Sequence, residues 1–363
     1  MSINVNDIYT PRIIATVHEE VASNKIPYLG VALFPAQKKM GLDLKWIKTS
    51  KGLPVSLKPS AFDAVSTIRS REGMEMQETQ MAYFKESMLI KEEDEQELMK
   101  LEDASSPFFP EVRDRIYNDA ETLIEGAEVV PERMRMALLA NENGKPSISI
   151  QADNATYQYD YDPNGTYAAN NFIELSGTSL WSDTTNSDPM QDIMDAQDAV
   201  EAKTGTRPSR MLCSKNVMNL LKQNKKIRGY ILAQNTTANV IVTDARVKEI
   251  FLTELQMTII VYSKQYKDET GEVKKFYPDT MVTLLPEGAL GTTWFGMTPD
   301  ERTGVKDPSK KVALVETGIA VSVKLTDDPV HTKTTVSEIV LPSFERMDET
   351  FMLKVATGST PSA

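Results

Sequence analysis

The chain has a single cysteine, Cys213, in 363 residues. That count excludes an internal disulfide framework and a cysteine-based zinc cluster. Histidine is almost as scarce. His18 and His331 are the only two, and their places at opposite ends of the chain give little basis for a histidine metal site or general base. No run approaches 18 apolar residues, so no segment reads as a membrane span. Basic residues are in deficit: 40 Lys and Arg stand against 52 Asp and Glu, a formal charge of −12. Gripping a phosphate backbone needs clustered cations, and this balance argues against it. The phosphate-binding, dinucleotide-binding, zinc-protease and nucleophile-elbow signatures are all missing. The N-terminus, MSINVNDIY, lacks the basic start and apolar block of a signal peptide. The compartment these absences imply is a reducing cytoplasm, or a particle assembled in one.

What is present begins with the stretch from Ser106 to Gly144. Val112, Ile116, Ala120, Leu123 and Ala127 recur at helical spacing, while Arg113, Asp114, Asp119 and Glu121 fall off that stripe. Ser106 before Pro107 offers an N-cap with proline at the first helical position. Gly144, with Pro146 beyond it, offers a stop. Pro131 predicts a kink or a restart, after which Met134, Ala137 and Leu138 resume the stripe. A rod over 106–144 would be roughly 50 Å long at 1.5 Å per residue. Two readings fit it: a long core helix, or a spine carrying separate lobes.

Around that stretch the chain is uneven. Residues 1–34 read as an arm, with Thr10-Pro11 capping a short helix that carries Ile13, Val17 and Val21 on one side. Residues 40–72 read as a long hairpin or loop: Leu42, Leu44 and Trp46 alternate with Asp43 and Lys45, and Val65, Thr67 and Arg69 could return. Such an excursion, carrying Trp46, Leu53, Leu57 and Phe62, either folds back on its own core or lies across another subunit. Residues 78–103 are strongly charged, and KEEDEQELMKLED (91–103) reads as a solvated helix with Leu89, Ile90, Leu98 and Leu101 inward. Ser147–Gln151 and Ala155–Tyr161 alternate as strands, and Asp162 to Gly165 makes a turn. Ser187 or Asp188 before Pro189 starts a helix that ends at Thr204-Gly205. Short strands at 211–213, 240–243, 257–263 and 281–285 and a helix at 216–223 then build a compact α/β lobe over 187–305. From Val312 onward the chain is strand-rich.

The search for chemistry finds little. His18 lies beside Glu19 and Glu20 and reads as a surface residue. Cys213 reads as a small buried apolar residue. Lys222, Lys225, Lys226 and Arg228 cluster near a helix end, where they complement the helix dipole or, as the lesser reading, form a nucleic-acid patch. Tyr157, Tyr159 and Tyr161 alternate at strand spacing and read as a sheet face. No catalytic, cofactor-binding or metal residue is assigned.

One segment is distinctive: IIVYSKQYKDETGEVKKFYPDTMVTL, Ile259 to Leu284. It resembles the corresponding stretch of lambda-type phage major capsid proteins (the capsid protein E family). The similarity rests on Val261, Tyr262, Ser263, Gln265 and Tyr266, then Gly271, Val273, Lys274 and Lys275, then Pro278 to Val282. GTSLWSDTTNSDPMQDIMD (177–195), GTTWFG (291–296), SLKPS (56–60) and the C-terminal PSFERMDETFMLKVA agree in the same order.

The resemblance implies an α+β chain with the Hong Kong 97-type fold. Its parts map as an N-terminal arm (1–34), an extended β-hairpin loop (35–75), a peripheral domain (76–186) holding the spine helix 106–144, an axial α/β domain (187–305), and a return to the peripheral domain (306–363). It implies a structural protein without enzymatic activity or cofactor. Its copies would form hexamers and pentamers of an icosahedral shell in the virion, assembled in the host cytoplasm around double-stranded DNA that is not bound sequence-specifically. A separate scaffold protein and a portal are implied, and a decoration protein is a further candidate. The intersubunit contacts expected on this basis are Trp46, Leu53, Leu57 and Phe62 of the loop and Ile13 and Val17 of the arm. Two alternatives stay open: another self-associating phage component, such as a tail or decoration protein, and a carbohydrate-active enzyme using paired carboxylates.

Overall fold

The structure, a computed structural model, describes residues 10–22, 27–47, 76–90, 109–152, 155–233, 242–306, 312–327 and 330–357. In chain order the elements begin with α1 (Pro11–Ala22), α2 (Leu29–Leu33), β1 (Ala36–Lys38) and β2 (Asp43–Ile47). Next come β3 (Met76–Gln80), β4 (Ala82–Ile90) and the long α3 (Phe109–Leu139). The hairpin β5 (Ser147–Ala152) and β6 (Ala155–Asp160) leads to α4 (Thr166–Asn170) and β7 (Phe172–Glu174). Then follow α5 (Pro189–Thr204), β8 (Arg210–Cys213), α6 (Lys215–Gln223), α7 (Lys225–Ala233), α8 (Asp244–Leu255) and β9 (Thr258–Val261). A hairpin of β10 (Gln265–Lys267) and β11 (Val273–Lys275) precedes β12 (Met281–Leu285) and β13 (Thr292–Phe295). The chain closes with α9 (Pro299–Lys306), β14 (Val312–Val315), β15 (Ile319–Asp327), β16 (Val330–Ser343) and β17 (Phe351–Lys354). Among the described residues, no helix is long and apolar enough to cross a membrane.

Two compact units result. The first comprises 1–45, 78–134 and 292–343; the second comprises 46–77, 135–291 and 344–363. In the first unit a six-stranded sheet is organised on β16. One edge of β16 pairs with β15 from Asp327↔Val330 to Ala320↔Ser337. Beyond β15 the same edge takes β13, over Phe295↔Val340 to Thr292↔Ser343, and the other edge pairs with β4, over Ile90↔Thr332 to Ala82↔Val340. One face of this sheet carries Val321 and Val336, packed with Ala120, Leu123 and Ile124 of α3 and Ile14 and Ala15 of α1.

In the second unit a sheet runs β7-β17-β12-β8-β9. Alternation decides its faces. Met211, Cys213, Ile259, Val282, Leu284, Phe351 and Leu353 point one way and are covered by α5, α6, α7 and α8. Thr283 points the other way: its Oγ1 donates to the Leu139 carbonyl at 2.5 Å, and the Tyr277 hydroxyl lies 2.8 Å from the same oxygen.

Local chemistry accounts for the helix ends. Asp188 accepts from Gln191 N–H and Pro189 sits in the first turn, while Gly205 stops α5 at φ +70. Ser214 and Thr243 cap α6 and α8 in the same way. Thr243 thus caps a helix, and the rest of the strand expected at 240–243 lies outside the described residues except for Val242, which has no strand assignment. The spine helix runs through Pro131 without a break and spans 31 residues, about 46 Å at 1.5 Å per residue. It ends at Leu139, five residues before Gly144, which instead closes a turn at φ +70 against the Phe172 ring. The cap expected at Ser106 lies outside the described residues.

Two expectations are corrected here. The solvated helix expected over 91–103 lies outside the described residues, but Leu89 and Ile90, expected on its inner face, belong to strand β4, which pairs with β16. Ile90 is buried as expected, but Leu89 is half exposed; Leu98 and Leu101 lie outside the described residues. The α/β lobe also stops earlier than 305, because Thr292 to Lys306 belongs with the first unit. The strand that pairs with β2 is β3; the return expected at Val65, Thr67 and Arg69 lies outside the described residues.

Candidate assembly surfaces

The arm helix is built by its cap. Thr10 Oγ1 accepts from Ile13 N–H at 3.4 Å, and Pro11 fixes the first helical φ. The inner face of α1 presents Ile14 (2% exposed), Ala15 and His18 (1%) to its own unit. The expectation of a surface His18 is therefore corrected. Its Nε2 lies 2.9 Å from Glu128 Oε1 on α3, so a carboxylate on the spine compensates the burial of the ring. The arm helix α1 packs on β14 and β15 as well. Ile13 points outward and is 37% exposed. The side chain of Val17, one turn on, lies outside the described residues.

At the base of the loop, Leu44 is buried and Trp46 is 7% exposed, with its ring centroid 5.3 Å from that of Tyr161 in the same unit. Trp46 is thus covered by its own chain, which leaves little of it for a neighbour. Leu53, Leu57 and Phe62 lie outside the described residues. Beside this base, Met40 and Leu42 are exposed at 80% and 49%. Tyr157 and Tyr159 stack on β6 with centroids 6.4 Å apart. Burial, aided by the Tyr157 charge, pushes the Tyr159 hydroxyl up to about 12.

The reactive groups are held in structural pairings. Burial pushes the Cys213 thiol up to about 12, which makes it a packing residue at neutral pH. Among the described residues no three His, Cys, Asp or Glu side chains converge on a point fit for a metal ion. The densest polar cluster was missed by the sequence reading. It sits where α9 meets the sheet of the first unit. Lys85 Nζ donates to Asp300 Oδ2 at 2.8 Å, Lys324 lies 3.5 Å from Asp300 Oδ1, and Lys38 Nζ donates to Glu301 Oε1 at 2.5 Å. Burial would raise the Asp300 carboxyl, but the Lys85 hydrogen bond and charge, with Lys324 and the Ser337 hydroxyl, carry it below its ordinary value. The arrangement clamps α9 to strands β1, β4 and β15. Thr298 before Pro299 and two acids was the available signal, since Thr298 Oγ1 accepts from Glu301 N–H as an N-cap should.

Comparison with known proteins follows from this geometry. The profile of the family described as phage major capsid protein E matches residues 13–355. No curated protein matches the chain. Among solved structures, it resembles a protein assigned as the capsid protein of a prophage in E. coli CFT073, at 15% identity and a TM-score of 0.58, over 98% of this chain and 100% of the other. A phage-related protein from Bordetella bronchiseptica RB50 matches at 15% identity and 0.56, over 95% and 97%. The capsid of cyanophage A-1(L) matches at 12% and 0.50, over 99% and 96%. At such identities these likenesses speak for the fold.

Proposed function

We propose, from the premise that this chain belongs to the phage major capsid protein E family, that its copies form the hexamers and pentamers of an icosahedral head around packaged double-stranded DNA. Its membership makes it a shell-forming structural protein of a phage capsid, with the Hong Kong 97-type fold. The observation that carries the proposal is the family match across nearly the whole chain, read with the fold likeness over the same span.

In this reading the second unit is the axial domain, and the first is the peripheral domain with the start of the spine. The loop beyond β2, with Leu53, Leu57 and Phe62, and the outer face of α1, with Ile13 and Val17, lie over neighbouring copies. Trp46 anchors the loop's base on Tyr161. Buried apolar area contributes roughly 25 cal/mol per Å², but ordering and immobilisation offset most of it. Many modest contacts then hold a shell while each stays weak enough to correct errors. A net charge of −12 suits an inner wall that does not adhere to DNA. Assembly takes place in the host cytoplasm with a separate scaffold protein and a portal, and without catalysis by this chain.

Negative-stain imaging of the purified chain tests the proposal. Shells or capsomer-sized rings are the expected result; a persistent monomer, with or without added scaffold, refutes it. Deleting residues 50–60 while keeping Trp46 should leave a folded chain that no longer assembles. Normal assembly of that variant would remove the loop's role.

A further inference from the structure

The second unit carries two charged surfaces that its own ion pairs do not neutralise. Residues 206–256 hold nine Lys and Arg against three Asp and Glu, in a chain whose total is −12. Four of those cations are matched at the surface: Lys222 by Asp244 and Lys226 by Asp188, both at 2.8 Å, Arg246 by Glu249 at 2.9 Å, and Arg207 by Asp198 and Glu201. Lys215, Lys225, Arg228 and Lys248 are exposed and make no ion pair among the described residues. Asp244 is a lone carboxylate among Lys222, Lys248 and Lys215. The Lys222 hydrogen bond, with the charge of all three, holds it below its ordinary value against a small opposing effect of burial. In the midst of these cations Tyr230 and Leu252 are 53% and 57% exposed.

The neighbouring helix α5 is the opposite. Residues 187–203 hold five acids and one lysine. Asp195, Asp198 and Glu201 lie at helical spacing on its exposed face, one turn apart, beside Met194, which is 38% exposed. Asp198 and Glu201 share the single guanidinium of Arg207, and Asp195 has only the Gln191 amide. On α7 Tyr230 stands beside Lys226 and Arg228, and on α5 Met194 stands beside Asp195 and Asp198. Each is an exposed apolar side chain next to charges of one sign, as an interface with a polar rim has. The four helices cover the same sheet face, so both surfaces belong to one rigid layer. Two different, complementary patches on one subunit make a heterologous contact, the kind that closes into rings.

We propose that copies of this chain meet head to tail through the second unit, the acidic outer face of α5 on one copy seated on the basic flank of α6, α7 and α8 on the next. This rests on the self-assembly reading above and names the surfaces that carry it. Opposite fields also steer the encounter and disfavour the reversed orientation.

Charge reversal tests it in the full-length chain. One variant carries Asp195→Lys with Asp198→Lys; the other carries Lys225→Glu with Arg228→Glu. All four positions are exposed, so both variants should fold, as circular dichroism and a thermal melt will show. Each alone should lose ring and shell formation at concentrations where the unaltered chain assembles. Mixed one to one they should regain hexameric rings, because alternating copies restore both contacts. An odd-membered ring cannot alternate, so pentamers and closed shells should stay absent. Raising the salt from about 0.1 to 1 M shortens the screening length from about 10 to about 3 Å and should weaken the rings. Either variant assembling normally alone overturns the proposal. So does a folded mixture that stays dissociated, or tight binding of duplex DNA lost in the Lys225→Glu, Arg228→Glu chain. Failure of the unaltered chain to assemble would strike the capsid reading itself, which keeps the two outcomes apart.

Discussion

Thr283 ties the end of the spine helix to the sheet of the second unit, and Thr283→Val should break that tie without leaving a hole. Each hydroxyl has one proton to give. The Thr283 proton goes to the Leu139 carbonyl at 2.5 Å. The Tyr277 proton serves the Leu212 carbonyl at 3.1 Å and the Thr283 oxygen at 2.8 Å. Leu139 needs this donor because the amide four residues on, Asn143 N–H, turns to Asn141 Oδ1 at 3.0 Å. Thr283 is fully buried, so no water is at hand to replace the donor. Valine keeps the branched shape, hence the loss is an orphaned buried carbonyl, about 1–3 kcal/mol. For a domain of 150–250 residues that is roughly 2–12 °C in melting temperature. Thr283→Ser keeps the hydroxyl and loses one methyl, about 0.8 kcal/mol. Thermal denaturation of the two variants decides the matter. A valine variant as stable as the unaltered chain, or more stable than the serine variant, would show that packing and not the hydrogen bond holds the helix end.

Gly144→Ala should cost about 2–5 kcal/mol, from the φ of +70 and from a Cβ placed 2.2 Å from Phe172 Cγ; an unchanged melting curve would refute the turn geometry. The lowered Asp300 carboxyl adds stability at neutral pH that is lost as pH falls through its depressed value. Asp300→Asn should therefore lower stability at pH 7 and flatten its fall below about pH 4, measured by chemical denaturation across pH. Native Cys213 should resist alkylation at pH 8 and react fully in denaturant, as mass spectrometry would record, because burial keeps it as a thiol.

Local signals survived into the structure where local physics decides. Thr10-Pro11, Asp188-Pro189 with Gly205, and the Asp162 to Gly165 turn are all where spacing placed them. The alternation of Ser147 to Gln151 and of the stretch from Ala155 likewise became strands. Leu89 and Ile90 were misread because the charges that follow them suit a solvated helix, and only the distant edge of β16 makes them strand. His18 was misread for a similar reason. Its sequence neighbours are glutamates, but its spatial partner is Glu128, 110 residues away. Trp46 looked available to a neighbour, and Tyr161 covers it. The family itself was legible in Ile259 to Leu284, where a long ordered motif covers β9 to β12.

The late position of β16 has a consequence for synthesis. Strands β4, β13 and β15 all wait for residues 330–343, which follow each of them in the chain. Pairings so distant in sequence form slowly, and in a truncated polypeptide they never form. A prematurely terminated product keeps its strand edges bare and meets the chaperones and proteases that clear such species. The sheet of the first unit therefore closes only once residues 330–343 have been made, and a copy that stops short of them lacks the strand that joins β4, β13 and β15.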